Sequence, residues 1–298
     1  TLKGLNRGKF EARLAKTIRW RLEPLGKFKV YQAQSTVFIE PQEDGLDMDE
    51  AFRRVSHVFG IVKLSRAVEC PKDFDAVCET AEAYLGEELR GVRTFKVEAK
   101  RADKTYPMKS PEICRELGAY LLDKHHHLRV DVHNPQLEIM VEIRDYAAYV
   151  HGPAEAAAGG LPIGMGGHAV SLLSGGIDSP VSSYMIAKRG VHMIPVHFFS
   201  FPYTSELAKQ KVLDLAKELT AYCGQLTVEV VPFTHIQTEI RDKCPEEYFT
   251  LIMRRFMMRI SQRVADQVKA KALVTGENLG QVASQTMDAM AVTGAVVH

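Results

Sequence analysis

The sequence has no run of 18 or more apolar residues, which argues against a membrane-spanning helix, since a bilayer takes about 20. It opens Thr-Leu-Lys-Gly-Leu-Asn-Arg, without the pattern of a secretory leader, and a soluble, cytosolic protein is expected. Its five cysteines, at 70, 78, 114, 223 and 244, are odd in number and form no C-x-x-C pair. That argues against a disulfide framework and against a zinc or iron–sulfur site, and reduced thiols are expected. The phosphate-clamping lysine of a G-x-x-x-x-G-K-[ST] loop is also missing. Net charge is only +1, so any nucleic-acid affinity must come from local patches.

What is present is a globular composition. With 298 residues, 46% hydrophobic and 25% charged, the chain is long enough for two or three domains. Its organising stretch is His168-Ala-Val-Ser-Leu-Leu-Ser-Gly-Gly-Ile-Asp-Ser-Pro180. Val170, Leu172 and Leu173 supply a buried strand, and Gly175 and Gly176 let backbone N–H groups approach a polyanion. Pro180 suits the first turn of a helix, whose positive dipole end would face the same anion. The loop carries an acid, Asp178, in place of a lysine. A carboxylate beside phosphates makes chemical sense if it holds Mg²⁺, which takes carboxylate and phosphate oxygens together.

Charge is unevenly spread. Residues 1–29 hold nine Lys/Arg against two acids, a patch that calls for a reason. Phe10, Leu14, Ile18 and Leu22 recur every four residues, predicting a helix with one apolar face. Lys9, Arg13, Lys16 and Arg19 fall on its other faces, where they either contact phosphates or simply solubilise. Strands are expected at Lys27–Gln34 and Thr36–Glu40 with a turn near Gln34–Ser35, then a helix from Asp47 to Phe59 stopped by Gly60.

A second unit follows. It comprises a strand Ile61–Glu69, a helix Asp73–Leu89, a strand Thr94–Ala102, and a helix capped by Ser110 with Pro111 at its first position. Strands near Arg129–Val132, Leu137–Ile143 and Tyr146–Val150 close it. Lys100, Arg101 and Lys104 cluster on and after one strand, a pattern also used to protect sheet edges. The three consecutive histidines at 125–127 do not share one face of an element, which argues against a metal site. Gly159–Gly167 reads as a linker.

The C-terminal half repeats strand and helix: strand Val191–Phe198, helix Thr204–Cys223, strand Leu226–Val231, helix Glu246–Lys269 and strand Ala272–Thr275. This rhythm predicts a parallel sheet with helices on both faces and a ligand beyond the strands' carboxyl ends. The loops Ser174–Ser179, His197–Ser200, Pro232–Thr234 and Gly276–Gln281 should converge there. Leu207 is expected to face inward on the first of these helices, and Phe249, Ile252, Met253, Phe256 and Met257 on the second, where Arg254 and Arg255 interrupt the apolar face.

Ser174-Gly-Gly-Ile-Asp-Ser179 resembles the PP-loop of the ATP pyrophosphatases, which cleave ATP between its α and β phosphates. Thr94-Phe-Lys-Val-Glu-Ala-Lys-Arg-Ala-Asp-Lys104, with Ser110-Pro-Glu-Ile and Asp131-Val-His-Asn-Pro, looks like a THUMP domain. Leu2–Phe10 and Gly276–Gln285 are similar to stretches of the tRNA 4-thiouridine synthetases, and the order of parts matches that family from end to end. The resemblance implies an α/β protein: a ferredoxin-like N-terminal piece (1–48), an α+β THUMP domain (49–154), a linker (155–167) and a Rossmann-like parallel-sheet PP-loop domain (168–298). It further implies a chain lacking its first strand and the end of its last domain.

What the resemblance implies for function is adenylation of uridine 8 of tRNA by ATP with Mg²⁺, then displacement of AMP by sulfur to leave 4-thiouridine. Catalysis would rest on Asp178, also the metal carboxylate, and Ser179. ATP would be held by Leu172, Leu173, Ser174, Gly175, Gly176, Ile177, His197, Phe198, Arg254, Gly276 and Gln285. The tRNA would be held by Lys9, Arg13, Lys16, Arg19, Lys100, Arg101 and Lys104. Partners implied are tRNA, a cysteine desulfurase as persulfide donor, and a second copy in a homodimer, with no membrane; relatives also feed thiazole synthesis for thiamine. The family places its sulfur-handling cysteine later than His298, which leaves Cys244 as the candidate among those present. A PP-loop enzyme adenylating a small molecule and a non-catalytic tRNA-binding module are the alternatives.

Overall fold

The computed structural model describes residues 6–33, 36–280 and 285–297. The turn expected at Gln34–Ser35, the start of the Leu2–Phe10 stretch and residues 281–284 lie outside them. The chain divides into two compact units, one of residues 1–31, 38–62 and 158–298 and one of residues 32–37 and 63–157.

In the first unit, α1 (Arg7–Leu22) buries Leu14, Ile18 and Leu22, the stripe its four-residue spacing predicts. The strands β1 (Phe28–Ala33) and β2 (Thr36–Pro41) pair with each other. Asp47 caps α2 (Met48–Ser56) by accepting from the Glu50 N–H. This helix ends at Ser56, short of the expected Phe59.

The second unit holds a five-stranded sheet of β4 (Ala67–Cys70), β8 (Ala148–His151), β7 (Leu137–Ile143), β5 (Thr94–Arg101) and β6 (Arg129–Val130), in that spatial order. The expected strand 61–69 is broken into β3 (Lys63–Leu64) and β4 (Ala67–Cys70), with Asp73 then capping α3 (Phe74–Gly91). Next come β5 (Thr94–Arg101), α4 (Ser110–Lys124), β6 (Arg129–Val130), β7 (Leu137–Ile143), β8 (Ala148–His151) and β9 (Glu155–Ala156). β3 pairs antiparallel with β9, so residues 155–156, read from sequence as linker, are strand. Lys109, not Ser110, occupies the cap of α4, and the Glu112 carboxylate accepts from its N–H at 2.6 Å. One sheet face is buried by both helices, which bring Val77, Ala81, Leu85, Ile113, Leu117 and Leu121 onto Phe95, Val97, Ile139, Val141 and Ile143. Each of these side chains larger than alanine contributes about 1.5–3 kcal/mol on burial.

The rest of the first unit is a parallel sheet. Its elements are β10 (His168–Leu172), α5 (Asp178–Ala187), β11 (His192–Phe199), α6 (Glu206–Cys223), β12 (Glu229–Pro232), α7 (Thr234–Lys243), α8 (Phe249–Val268), β13 (Leu273–Val274) and α9 (Met287–Gly294). Strand order is β12-β11-β10-β13, all neighbours parallel. Alternation along β10 sends Ala169 and Leu173 to one face, packed with Ala187, Val212, Ala216 and Leu219, and Val170 to the other, packed with Ala265. Helices therefore cover both faces, as the strand–helix rhythm predicts. Neither α7 nor α9 was expected. Leu207 is 82% exposed and Phe256 39% exposed, against the expectation that both face inward; the buried positions of α8 are Ser261 and Ala265. Among the described residues no helix is long and apolar enough to cross a membrane.

Candidate active site

Strand order reverses between β10 and β13, and in an open parallel sheet that reversal opens a crevice beyond the carboxyl ends. The loop 173–177 leaves β10 there, and the segment after β13 arrives there. Their junction is backbone on backbone: a Cβ at Gly276 would lie 2.5 Å from the Ser179 nitrogen and 2.6 Å from its Cα. Only glycine permits that approach.

Ser179 is buried, 4% exposed, and its hydroxyl ties the loop shut. Its Oγ accepts from the Ser174 N–H at 2.9 Å and donates to the Ser174 carbonyl at 3.2 Å. The Ser174 and Ser179 hydroxyls also lie 3.1 Å apart. This geometry makes Ser179 a residue that shapes the loop rather than one exposed for chemistry. Asp178 is the first residue of α5 and half-buried. Among the described residues no hydrogen bond or ion pair occupies its carboxylate. No side chain caps the helix start, which leaves its N–H groups for an anion.

A Cβ at Gly176 would meet nothing closer than the Ser174 hydroxyl at 3.7 Å, so no protein neighbour requires glycine there. The open face is what a close-lying ligand needs. Ile177 projects into solvent at 76% exposure. Leu173 is buried in the core, and Leu172 is the last residue of β10; the Leu173 carbonyl accepts from His197 Nδ1 at 3.2 Å. His197 Nε2 is buried, and among the described residues it has no partner. Burial pushes the imidazole below its ordinary pKa, the Leu173 bond opposing it, so His197 is held neutral. Phe198 meets Phe233 edge-on at 5.4 Å and packs against the core, acting as wall.

Arg254 forms an ion pair with Glu277 on the loop after β13. Its charge is matched there by a carboxylate, and the expected contact with an ATP phosphate stays a proposal, with Glu277 the partner it would exchange. A better-placed cation is Lys211, which the sequence reading missed. Its Cδ would lie 3.6 Å from a Cβ at Gly175, and among the described residues no carboxylate pairs with it. The available signal was topological, because the first turns of a helix following a parallel strand sit at the carboxyl edge of the sheet. Gln285 follows residues 281–284; among the described residues its buried Oε1 has no partner, and its carbonyl accepts from the Gly280 N–H at 3.0 Å. The segment 232–234 follows β12, the outermost strand on the far side from β13; Phe233 is wholly buried and its N–H donates to the Phe199 carbonyl at 2.7 Å, which fastens this loop to the 197–200 loop. Cys244 caps the end of α7, its N–H donating to Ile240 at 2.9 Å.

The basic residues divide into free and engaged. On α1, Lys9 and Lys16 point to solvent, while Arg13 donates to the Ile163 carbonyl at 2.8 Å and Arg19 to that of Val30 at 2.7 Å. In the second unit Lys100 is exposed. Arg101 is spent on the Tyr106 and Met108 carbonyls at 3.0 and 2.9 Å, and Lys104 reaches the Arg101 carbonyl. Among the described residues no His/Cys/Asp/Glu cluster of metal-binding size occurs. Buried His125 is held by Glu82 at 2.7 Å.

Comparison with known proteins bears on this geometry directly. Residues 1–65 match the ThiI ferredoxin-like domain, 71–151 the THUMP domain and 164–298 the thiamine biosynthesis protein (ThiI). A "Probable tRNA sulfurtransferase" of Alkaliphilus metalliredigens is 51% identical over 299 residues, covering 100% of this chain and 76% of the relative. The chain belongs to the tRNA sulfurtransferase family. A relative of the same name from Acetivibrio thermocellus is 49% identical across 99% of this chain and 76% of its own length. A crystal structure of a 4-thiouridine synthetase–RNA complex with bound ATP superimposes with a TM-score of 0.90 at 37% identity, covering 99% of this chain and 76% of that one. The expected fold, an α/β chain with ferredoxin-like, THUMP and PP-loop parts, is the one these matches and the sheets describe.

Proposed function

We propose that the chain catalyses ATP-dependent sulfur transfer to tRNA, with the loop 174–179 holding the triphosphate and uridine 8 as the acceptor. The observation that carries this reading is the loop at the strand-order reversal, folded by Ser179 and clamped by Gly276, with the Asp178 carboxylate left unpaired. The uridine O4 attacks the α-phosphorus of ATP and pyrophosphate leaves; the terminal sulfur of a persulfide then attacks C4 and AMP leaves, and a second thiol attacks the inner sulfur, forming a disulfide and releasing the thiocarbonyl. The chain's contribution to the first step is positioning and charge: loop N–H groups and those at the start of α5 donate to phosphate oxygens, Lys211 adds a cation, and His197 stays neutral beside them.

Mg²⁺ fits this donor set, because one unpaired carboxylate next to phosphate oxygens is how that ion is usually held. Asp178 would hold it, and when bound it would offset charge on the phosphates. For the RNA, Lys9, Lys16 and Lys100 are the exposed cations that support phosphate contact, with Arg13, Arg19, Arg101 and Lys104 shaping the backbone around them. A cytoplasmic setting, a cysteine desulfurase as sulfur donor and a homodimer belong to the same proposal.

Incubation of the chain with ATP labelled at the α-phosphate tests it. With sulfur withheld, label should appear on tRNA and depend on uridine 8. Label appearing on a small molecule instead, or on tRNA whose uridine 8 is replaced, would overturn the reading.

A further inference from the structure

The first unit holds a second cleft at the opposite edge of the parallel sheet. It opens near His192, at the amino end of β11, between α1 and the end of α6, and encloses about 310 Å³. That is the small end of the ~300–1,000 Å³ typical of ligand sites. None of its lining residues belongs to the loop 174–179.

Its chemistry is one-sided. Arg13, Lys16 and Arg21 line it from α1, and among the described residues no carboxylate lines it at all. Among the described residues the buried Nε of Arg21 has no hydrogen-bond partner, and neither has Nδ1 of His192. A partly desolvated guanidinium without an anion is an expensive arrangement, and a bound anion relieves it. Beside these groups stand the rings of Trp20 and Tyr222, the second already packed by His57, Phe59 and Tyr184. Trp20 is held with the Arg21 guanidinium carbon 5.3 Å from its ring centroid, and a Cβ at Gly224 would lie 3.5 Å from its Cζ3. Yet 47% of the residue remains exposed, which leaves ring surface to stack on. Cys223 also lines the cleft, but burial pushes its thiol up to about 11, so it contributes packing and no nucleophile.

We propose that this cleft binds a nucleoside monophosphate, its phosphate against Arg21 and Lys16 and its base against Trp20, at a site separate from the phosphate loop. Cations with fixed donors recognise the phosphate, and the Trp20 ring recognises the planar base. The proposal stands on the cleft's own residues and does not depend on the reaction proposed above.

Trp20 is the chain's single tryptophan, so its fluorescence reports on this cleft. Titration with AMP should quench it saturably. Lys16→Ala, at an exposed position that leaves folding intact, and Arg21→Gln should each weaken AMP by about tenfold or more, the worth of one charged hydrogen bond. Gly176→Glu, which blocks the phosphate loop, should leave AMP affinity unchanged, and inorganic phosphate should bind far more weakly than AMP. The site is overturned if no saturable quench occurs, or if the quench is lost in Gly176→Glu and kept in Lys16→Ala. It is equally overturned if phosphate matches AMP.

Discussion

Gly276 rests on the backbone of Ser179, with space for a hydrogen but not for a Cβ, which would meet the Ser179 nitrogen at 2.5 Å. The contact fastens the loop after β13 to the start of α5, and through Ser179 to the phosphate loop. Gly276→Ala must push those two backbones apart, at a cost of about 1–3 kcal/mol. Both a lowered melting temperature and a weakened ATP affinity are expected. Calorimetry on the variant checks this; an alanine tolerated without change in either would remove Gly276 from the architecture of the site.

Lys211 lies along the Gly175 side of the loop while Arg254 is neutralised by Glu277. Lys211→Ala should therefore raise the KM for ATP about tenfold, with stability unchanged because the side chain is exposed. Glu277→Gln, which releases Arg254, should not reproduce that loss. If Arg254→Ala weakens ATP more than Lys211→Ala does, the roles are reversed.

Much of this site was legible in the sequence, and for a physical reason. A strand, two glycines, an acid and a helix start are contiguous, so the loop at 174–179 is a local pattern, and alternation along β10 fixed which residues face each layer. What escaped depended on partners distant in sequence. The Arg254–Glu277 pair spans 23 positions, and no local signal says which carboxylate meets a helix arginine. Leu207 was placed inward by helical spacing, yet it lies in the first turn of α6, beyond the cover of the sheet. The short helix α7 was hidden by a segment, Thr234–Lys243, whose only buried residue is Ile240.

Arg101 and Lys100 are neighbours with opposite roles. Lys100→Glu should weaken tRNA and lower the salt slope of binding by about 0.7–0.9 for the phosphate contact removed, without altering the melting temperature. Arg101→Ala should destabilise the chain, because the Tyr106 and Met108 carbonyls lose their donor. Filter binding across a salt series, with thermal melts alongside, separates the two. Equal effects of both variants on stability would contradict the assignment.

Acidification has a definite sign. Burial, the largest cause at each, holds His57, His192 and His197 below the ordinary imidazole pKa of 6.5. The unfolded chain, with ordinary values, then binds more protons than the folded one once pH falls below that value, so stability drops with pH. The loss should begin near pH 7, continue through 6.5 and level off below the folded values. Urea midpoints at a series of pH values read it directly. A midpoint that stays flat or rises between pH 7.5 and 5.5 would mean these rings are not buried as described.

The central claim is that the loop 174–179 with Asp178 activates ATP for attack by tRNA. Pyrophosphate release from ATP, measured with and without tRNA for the chain and for Asp178→Asn, tests it most directly. The account predicts release that requires tRNA and falls by at least about a hundredfold in the variant, the scale of losing one transition-state contact, while tRNA affinity stays within about twofold. Release that proceeds equally without tRNA, or that survives Asp178→Asn, would contradict it.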